Sequence, residues 1–291
     1  MKAIRVHSWN QQPRLEDLPD PSRAPGRTLV RMAAATVGHI DRTVWGGQFM
    51  NPPALPYVPG VEAAGVVLES EVFAPGERVW IRGTGLDTRF DGTWREIIDA
   101  PDAAIGRLPE GVPMSLGSAF FSPSTSAWVA LHEVAKVRAG ERVLVSGASG
   151  AVGSLAMQLA RDAGAEAIAW KADDAASGSK ADVLIDTVGG PVLAAALERI
   201  EAGGRAVLVG YTAGNEIAID IARFLQRDVS LLPLNMFRRD AAGRAAAPEL
   251  LARLADGRLQ LQVTEFALAD AALAMQWITQ RGHRGRAVLV P

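Results

Sequence analysis

The chain has 291 residues, a formal net charge of −2, 48% hydrophobic residues and no cysteine. This length allows one large or two ordinary domains, each with its own core, and the near-neutral charge argues against nucleic-acid or membrane-surface partners. The lack of cysteine excludes disulfides and thiolate zinc sites. No apolar run approaches the roughly 18 residues of a membrane span, and the first six residues read as a strand rather than a signal peptide, so we expect a cytoplasmic protein.

Residues 1–115 are predicted to be rich in β-strand. Apolar segments at 58–68 and 77–81 are punctuated by glycine, and prolines crowd the connections around them. Proline lacks the N–H group of a β-ladder and is therefore confined to turns and strand edges. The pattern is typical of a small, partly closed barrel.

Residues 143–153 predict a buried strand, a glycine-rich turn and the start of a helix. In such a turn the first glycine allows a tight bend, the second lets a pyrophosphate approach the backbone, and the third lets the helix pack closely on the sheet. The free N–H groups and the positive dipole end of the helix then face an anion. The residues predicted to bind it are Gly147, Ser149, Gly150, Ala151, Val152 and Gly153. A glycine-rich turn without a ligand is the alternative.

Strand and helix patterns alternate beyond this turn. Strands are predicted at 143–145, 167–170, 183–185 and 206–209, and helices at 154–163 and 192–200. Gly164 and the Gly203-Gly204 pair are interpreted as helix stops. This alternation indicates a parallel sheet with right-handed crossovers. Helices near 247–255 and 269–280 and a strand at 287–290 complete the chain.

A series of motifs runs along nearly the whole chain in a fixed order. They include Pro59-Gly-Val-Glu-Ala-Ala-Gly-Val-Val67, Ala139-Gly-Glu-Arg-Val-Leu-Val145, Asp182-Val-Leu-Ile-Asp-Thr-Val-Gly-Gly190 and Gly282-His-Arg-Gly-Arg-Ala-Val-Leu-Val290. In this order they resemble the medium-chain dehydrogenase/reductase superfamily, in particular its zinc-independent quinone oxidoreductases and related enoyl reductases. The resemblance implies an α/β protein with a GroES-like β-barrel substrate domain (1–115 and 258–291) and a Rossmann domain (116–257), with ligands between the two.

Most of the family's catalytic zinc ligands are absent from this sequence. Aligned through Asp41 and Gly47, the cysteine position of zinc-dependent relatives holds Gly38 and the histidine position holds Val61, so that only Glu62 remains. Zinc needs three or four N, S or O ligands. We therefore predict no metal site, and we expect a structural role for Glu62.

The resemblance implies a nicotinamide cofactor, lined by Ser126, Thr187, Gly210 and Tyr211. Lys171 ends the second strand of the predicted sheet, where NAD-specific sites often carry an acidic residue. A cation there favours a 2′-phosphate, so we predict NADPH; a solvated lysine with no role is the alternative. Arg286 is predicted either to reach the cofactor phosphates or to be an ordinary surface arginine.

Residues 171–182 are too few for the helix and strand that relatives place there, since a parallel crossover alone needs roughly a dozen residues. We therefore predict a Rossmann sheet shortened by one strand and one helix at its adenosine end. The sequence leaves open whether cofactor binding survives this loss.

The sequence gives its least specific signals for the substrate-binding site. An enone or quinone that accepts hydride gains negative charge on its carbonyl oxygen, which a hydrogen-bond donor can stabilise. The polar candidates are His39, Asp41 and Thr43. His39 can donate a proton or be a partly buried polar residue, and Asp41 can simply hold its loop. Three aromatic residues offer apolar surface to a flat substrate or pack at the domain edge, namely Trp45, Phe49 and Tyr57.

The leading interpretation is a zinc-independent, NADPH-dependent reductase of a small hydrophobic quinone or enone, acting by direct hydride transfer. An enoyl-thioester reductase of a biosynthetic pathway is a second enzyme interpretation. A binding or regulatory protein that keeps the fold without turnover is the alternative from another class. The resemblance also implies a homodimer joined through the edges of the Rossmann sheets, and the apolar run at 229–234 is the predicted edge strand.

Overall fold

The computed structural model describes residues 1–170, 180–280 and 282–291. Lys171 and most of the predicted short segment at 171–182 therefore lie outside the described residues. The chain forms two compact units. Unit 1 comprises Met1–Phe121, Leu254–Asp256 and Gln262–Pro291, and unit 2 comprises Ser122–Arg253 and Gly257–Leu261.

The strands, in chain order, are β1 (Lys2–Arg5), β2 (Arg14–Asp17), β3 (Arg27–Val37), β4 (Glu62–Glu69), β5 (Arg78–Arg82), β6 (Ile97–Pro101), β7 (Ile105–Arg107), β8 (Arg142–Ser146), β9 (Glu166–Trp170), β10 (Ala181–Asp186), β11 (Ile200–Leu208), β12 (Ser230–Pro233), β13 (Val263–Ala267) and β14 (Arg286–Val290). The α-helices are α1 (His39–Trp45), α2 (Met114–Ala119), α3 (Phe121–Trp128), α4 (Ala151–Asp162), α5 (Gly190–Leu197), α6 (Ile221–Arg227), α7 (Asp240–Ala255) and α8 (Ala271–Trp277). A π-helix, Val129–Ala135, follows α3. None of the helices in the described part of the chain is long and apolar enough to cross a membrane.

Unit 1 is a GroES-like β-domain. Its main sheet has the order β13-β14-β3-β4-β5-β7, with β6 also paired to β3, while β1 and β2 form a separate antiparallel pair. Within the main sheet β13 and β14 are parallel, and the other pairings are antiparallel. In β6 the side chains alternate, so that Ile98 and Ala100 are buried and their neighbours are half-buried. This period of two is expected of a strand with one face on a core.

Unit 2 contains a parallel sheet of the Rossmann type. Within the described residues this sheet has five strands in the order β12-β11-β10-β8-β9, and every pairing is parallel. Its core includes Leu144, Leu184, Ile200 and Ala206. Central parallel strands are covered on both faces, which explains their nearly continuous apolar sequences. Strands β9 and β10 lie on opposite sides of β8, and β12 is an edge strand.

Several predicted element boundaries were wrong. The helix predicted at 192–200 ends at Leu197, and Ile200 already pairs with Ala181 in the sheet. Gly203, interpreted as a helix stop, has a φ of +78° inside β11, next to a shift in register between β10 and β11. A glycine in a strand at a positive φ is typical of a bulge. The helix predicted near 247–255 begins earlier, at Asp240.

Candidate functional site

The glycine turn joins β8 to α4, and two of its glycines are required by packing within the protein. Gly147 has a φ of +62°, and a Cβ atom there would lie 2.4 Å from the Thr187 hydroxyl oxygen. A Cβ atom at Gly153 would lie 2.2 Å from the carbonyl oxygen of Gly147. A larger residue at position 147 would therefore push the turn away from Thr187, and one at position 153 would push the helix away from the turn.

Gly150 is restricted much less by contacts within the protein than Gly147 or Gly153. Its φ is −75°, an ordinary value for any residue, and a Cβ atom there would have a single contact, 3.3 Å from the carbonyl oxygen of Gly147. Gly150 precedes α4, whose first N–H groups have no partner within the helix. Gly150 therefore lies at a helix start, where an anion is favoured, and a side chain there would meet a single atom of the described protein.

A buried hydrogen-bond network fixes this turn to the loop after β10. The Ser146 hydroxyl donates to the Asp186 carboxylate, whose other oxygen accepts the Gly189 amide at 2.8 Å. The Thr187 amide donates to the Ser146 hydroxyl oxygen at 3.1 Å, and the Thr187 hydroxyl donates to the Ser146 carbonyl at 2.9 Å. Burial raises the pKa of Asp186, while the hydrogen bonds from Ser146 and the backbone oppose that shift. The carboxyl ends of β8 and β10 are thus held in one arrangement.

Some of the predicted cofactor residues of unit 2 lie close to one another, and others lie apart. Gly210 packs against Thr187, since a Cβ atom at Gly210 would lie 2.4 Å from the Thr187 carbonyl oxygen. Thr187 in turn contacts Gly147, so these three residues share the carboxyl end of the sheet. Tyr211 follows directly and is 70% exposed. The remaining predicted residues are more scattered: Ser149 is exposed in the turn, Ala151 and Val152 are half-buried in the first turn of α4, and Ser126 is half-buried in α3.

Sequence reasoning missed Ser146 and Asp186 as residues that position the turn. Both are fully buried. The available signal was a polar residue that ends a buried apolar strand, since parallel strands bring such ends to one edge of a sheet.

In unit 1, helix α1 carries the three predicted catalytic residues in different environments. Asp41 is buried, and its Oδ2 accepts the Gly38 amide at 2.6 Å, as expected for a side chain that holds a helix start. The Thr43 hydroxyl donates to the His39 carbonyl at 3.0 Å. His39 is exposed, yet its pKa is lowered, first by partial burial of its ring and then by the charges of His283, Arg286 and Arg42.

Glu62 lies at the centre of a buried ion-pair cluster. The side chain is 1% exposed; Arg286 Nη1 lies 2.6 Å from its Oε2, and Arg82 Nε lies 3.6 Å from its Oε1. Arg286 Nη1 also donates to the Ala119 carbonyl at 3.0 Å. The Arg286 side chain is only 11% exposed, so the interpretation as an ordinary surface arginine was wrong. Its predicted contact with cofactor phosphates stays a prediction.

The residues at the family's zinc positions do not fit a zinc ion. Gly38 and Val61 have no ligand atoms, and Glu62 is paired with arginine. A Cβ atom at Gly38 would lie 2.8 Å from Arg286 Nη2. Within residues 1–170, 180–280 and 282–291, no group of three or more His, Cys, Asp or Glu side chains could hold a metal ion.

The aromatic residues of this region form a small core. Val6, Val44 and Tyr57 are buried together, and the half-buried rings packed against them are those of Trp9, Trp45 and Phe49. The Trp45 indole donates to the Gln11 carbonyl at 2.6 Å. Tyr57 is only 2% exposed, so the packing interpretation holds for it and its ring offers almost no surface to a substrate.

Comparison with known proteins places both units in described families. Residues 24–110 match the alcohol dehydrogenase GroES-like domain, and residues 158–289 match a family described as zinc-binding dehydrogenase. The quinone oxidoreductase of Pongo abelii is 33% identical over 168 residues, which are 55% of this chain and 50% of that protein. The chain thus spans about half the length of that relative. The quinone oxidoreductase of Rattus norvegicus is 27% identical over 273 residues, 81% of this chain and 80% of that protein.

Solved structures show the same fold. The Escherichia coli quinone oxidoreductase complexed with NADPH matches with a TM-score of 0.86 at 20% identity, over 100% of both chains. Since the sequence identity is low, this likeness establishes the fold alone.

Proposed function

Because the chain belongs to the medium-chain dehydrogenase/reductase superfamily, we propose that it is an NADPH-dependent oxidoreductase that reduces a quinone or an activated C=C bond without zinc. The observation that carries the proposal is Gly150 at the start of α4, where a side chain would meet a single atom of the described protein. Packing within the protein explains the glycines at 147 and 153. A ligand that approaches the backbone explains the glycine at 150. The quinone oxidoreductase relatives support the reaction class.

The residues of unit 2 fit a dinucleotide. Gly150 and the first amides of α4 would hold its pyrophosphate, and Thr187 and Gly210 lie at the same end of the sheet. NADPH, when bound, would supply the hydride. The preference for NADPH over NADH rests on Lys171, which is outside the described residues, and on the NADPH bound to the Escherichia coli protein.

On the substrate side, His39 is the best-placed of the three predicted polar residues. The residue is exposed at the surface although its ring is partly buried, whereas Asp41 is buried and the Thr43 hydroxyl is hydrogen-bonded to the backbone. Because the pKa of His39 is lowered, its imidazole is neutral at neutral pH and keeps one N–H group. A neutral N–H donor can stabilise the negative charge that develops on a carbonyl oxygen. Asp41 acts as a positioning residue that holds the start of α1.

The test is a steady-state assay of NADPH oxidation with a quinone, an enone and an enoyl thioester. We expect turnover with the quinone or the enone. Turnover with the thioester alone would select the biosynthetic reductase interpretation, and no turnover despite NADPH binding would support the non-catalytic one. His39→Gln should lower kcat while the affinity for NADPH is unchanged, and Thr43→Val is the matched control on the same helix.

We also propose that two copies join through β12 to form a cytoplasmic homodimer. Among the described strands β12 is at the edge of its sheet. Helix α6, which precedes it in the chain, has no buried residue, and Ile221 is 64% and Leu225 71% exposed. An unpaired strand edge beside exposed apolar side chains is a common pairing surface. Light scattering at micromolar concentration tests this proposal, and a monomeric mass would overturn it.

A further inference from the structure

Unit 1 contains an open hollow whose lining residues have no part in the proposed reaction. Its volume is about 340 Å³, and it is lined by Arg27, Phe90, Asp91, Arg95 and Asp99. Small-molecule sites commonly measure roughly 300–1,000 Å³, so the hollow is large enough for a small ligand. Its lining combines two cations, two carboxylates and one aromatic ring.

Two of these residues neutralise each other. Arg27 begins β3, and Asp99 of β6 pairs with Leu29, two positions further along β3. Because residues two apart on a strand share a face, the side chains of Arg27 and Asp99 lie on the same side of the sheet. Arg27 Nε donates to Asp99 Oδ2 at 2.6 Å, and Arg27 Nη2 donates to the Asp99 carbonyl at 2.6 Å. The charge of Asp99 is therefore balanced by Arg27.

Arg95, just before β6, lacks such a partner. Its Nη2 donates to two backbone carbonyls, that of Asp91 at 3.3 Å and that of Asp99 at 3.4 Å. The Asp99 carbonyl thus accepts from both arginines and holds the two guanidinium groups beside each other. In the part of the chain that the structure describes, no carboxylate lies within ion-pair distance of Arg95. Arg95 is only 6% exposed, and a buried cation without a counter-ion is costly.

Asp91 does not provide the missing counter-ion. It is exposed to water, and its Oδ1 accepts the Val58 amide at 2.9 Å. Burial lowers the pKa of Arg95, and the charges of Asp91 and Asp99 only partly oppose that shift. An anion bound directly beside Arg95 would favour its charged form.

Each of the two arginines has one terminal nitrogen available to a ligand. The hydrogen bonds of Arg27 use Nε and Nη2, and those of Arg95 use Nη2 alone. Arg95 Nε is buried without a partner, whereas Nη1 of Arg27 and Nη1 of Arg95 are not among the buried nitrogens. Because both residues line the hollow, these two Nη1 groups can donate to an oxyanion there. Hydrogen bonds from a guanidinium group to a carboxylate are among the strong ones.

Phe90 gives the hollow an apolar side. The Arg27 guanidinium carbon lies 4.6 Å from the centre of the Phe90 ring, and Phe90 is 44% exposed. The exposed part of the ring can contact an apolar group of a ligand. The carboxylates of Asp91 and Asp99 also line the hollow, and they would repel a doubly charged anion more than a singly charged one. The lining therefore favours an anion with a single charge and an apolar part.

We propose that the hollow binds a small organic monocarboxylate, with its carboxylate group between Arg27 and Arg95 and its apolar part against the Phe90 ring. The bound carboxylate provides the counter-ion that Arg95 lacks. It also accepts hydrogen bonds from the two available Nη1 groups. This ligand is additional to the cofactor and substrate of the proposed reaction, and the proposal does not depend on that reaction.

The test is isothermal titration calorimetry of the full chain with benzoate at constant ionic strength. We expect saturable binding to the wild type, no binding of benzamide, which has the same ring without the charge, and weaker binding of phosphate. Arg95→Met keeps an unbranched side chain and removes its charge, so the affinity for benzoate should fall at least about tenfold. Arg89→Met is the matched control, because Arg89 is exposed in the same loop and does not line the hollow.

Phe90→Ala keeps the proposal testable if Arg95→Met does not fold, because Phe90 is partly exposed at the surface. Loss of the ring contact should weaken benzoate binding about two- to tenfold. Absence of saturable benzoate binding to the wild type, or phosphate binding as tight as that of benzoate, would overturn the proposal. An unchanged affinity in folded Arg95→Met or in Phe90→Ala would place benzoate at another site and would overturn it as well.

Discussion

Alanine at position 150 separates ligand binding from folding at the glycine turn. The added Cβ atom would lie 3.3 Å from the Gly147 carbonyl oxygen, at a backbone φ of −75° that alanine adopts freely. We therefore expect Gly150→Ala to change the free energy of unfolding by less than about 1 kcal/mol. The same methyl group would occupy the space through which a pyrophosphate approaches the backbone. NADPH affinity should fall at least about tenfold, or about 1.4 kcal/mol.

Gly153→Ala, three residues further along and in the first turn of α4, is the matched control. Its Cβ atom would lie 2.2 Å from the Gly147 carbonyl oxygen, so the turn must shift and the protein should lose about 1–3 kcal/mol of stability. Urea unfolding measures the stabilities, and nicotinamide fluorescence measures NADPH affinity. Wild-type affinity in Gly150→Ala would show that no ligand approaches this backbone. A loss of stability in Gly150→Ala as large as that in Gly153→Ala would refute the packing argument.

Two further substitutions test the buried networks through urea unfolding. Ser146→Ala removes the hydroxyl that donates to Asp186 Oδ1 and leaves this buried carboxylate with backbone donors alone, so the free energy of unfolding should fall by about 1–3 kcal/mol. Ser149→Ala, in the exposed part of the turn, should have little effect. Arg286→Met removes the arginine that lies 2.6 Å from Glu62 and should cost about 3–5 kcal/mol, since an incompletely compensated charge stays buried. Adding Glu62→Gln should restore part of that loss, and failure to do so would show that Arg286 stabilises the protein by contacts other than this pair.

The sequence predicts local secondary structure best. The apolar run 143–145, the glycine spacing and the amphipathic segment after it predict β8, its turn and α4, because each signal lies within a few residues of the structure that it determines. The apolar run at 229–234 likewise predicts β12, and the GroES-like and Rossmann folds follow from the order of such motifs. The strand start at Ile200 escaped prediction because Gly203 is equally typical of a helix stop and of a bulge.

The sequence cannot predict what depends on contacts across the fold. Arg286 meets Glu62, which is more than two hundred positions away, and the strand pairing that joins them is not readable from either segment. In the sequence alone, nothing distinguishes Tyr57 from the other aromatic residues or Asp87 from the other loop aspartates. Their burial emerges only when unit 1 is assembled, because burial is a property of the packed unit.

The most direct test of the central claim is a fluorescence titration of the purified protein with NADPH and NADH, repeated with Gly150→Asp. We expect saturable NADPH binding that raises the melting temperature, weaker binding of NADH, and loss of both in the variant, whose carboxylate would repel the pyrophosphate. If the wild type binds neither nucleotide, or if Gly150→Asp binds NADPH as the wild type does, the glycine turn is not a cofactor site and the proposed function is wrong.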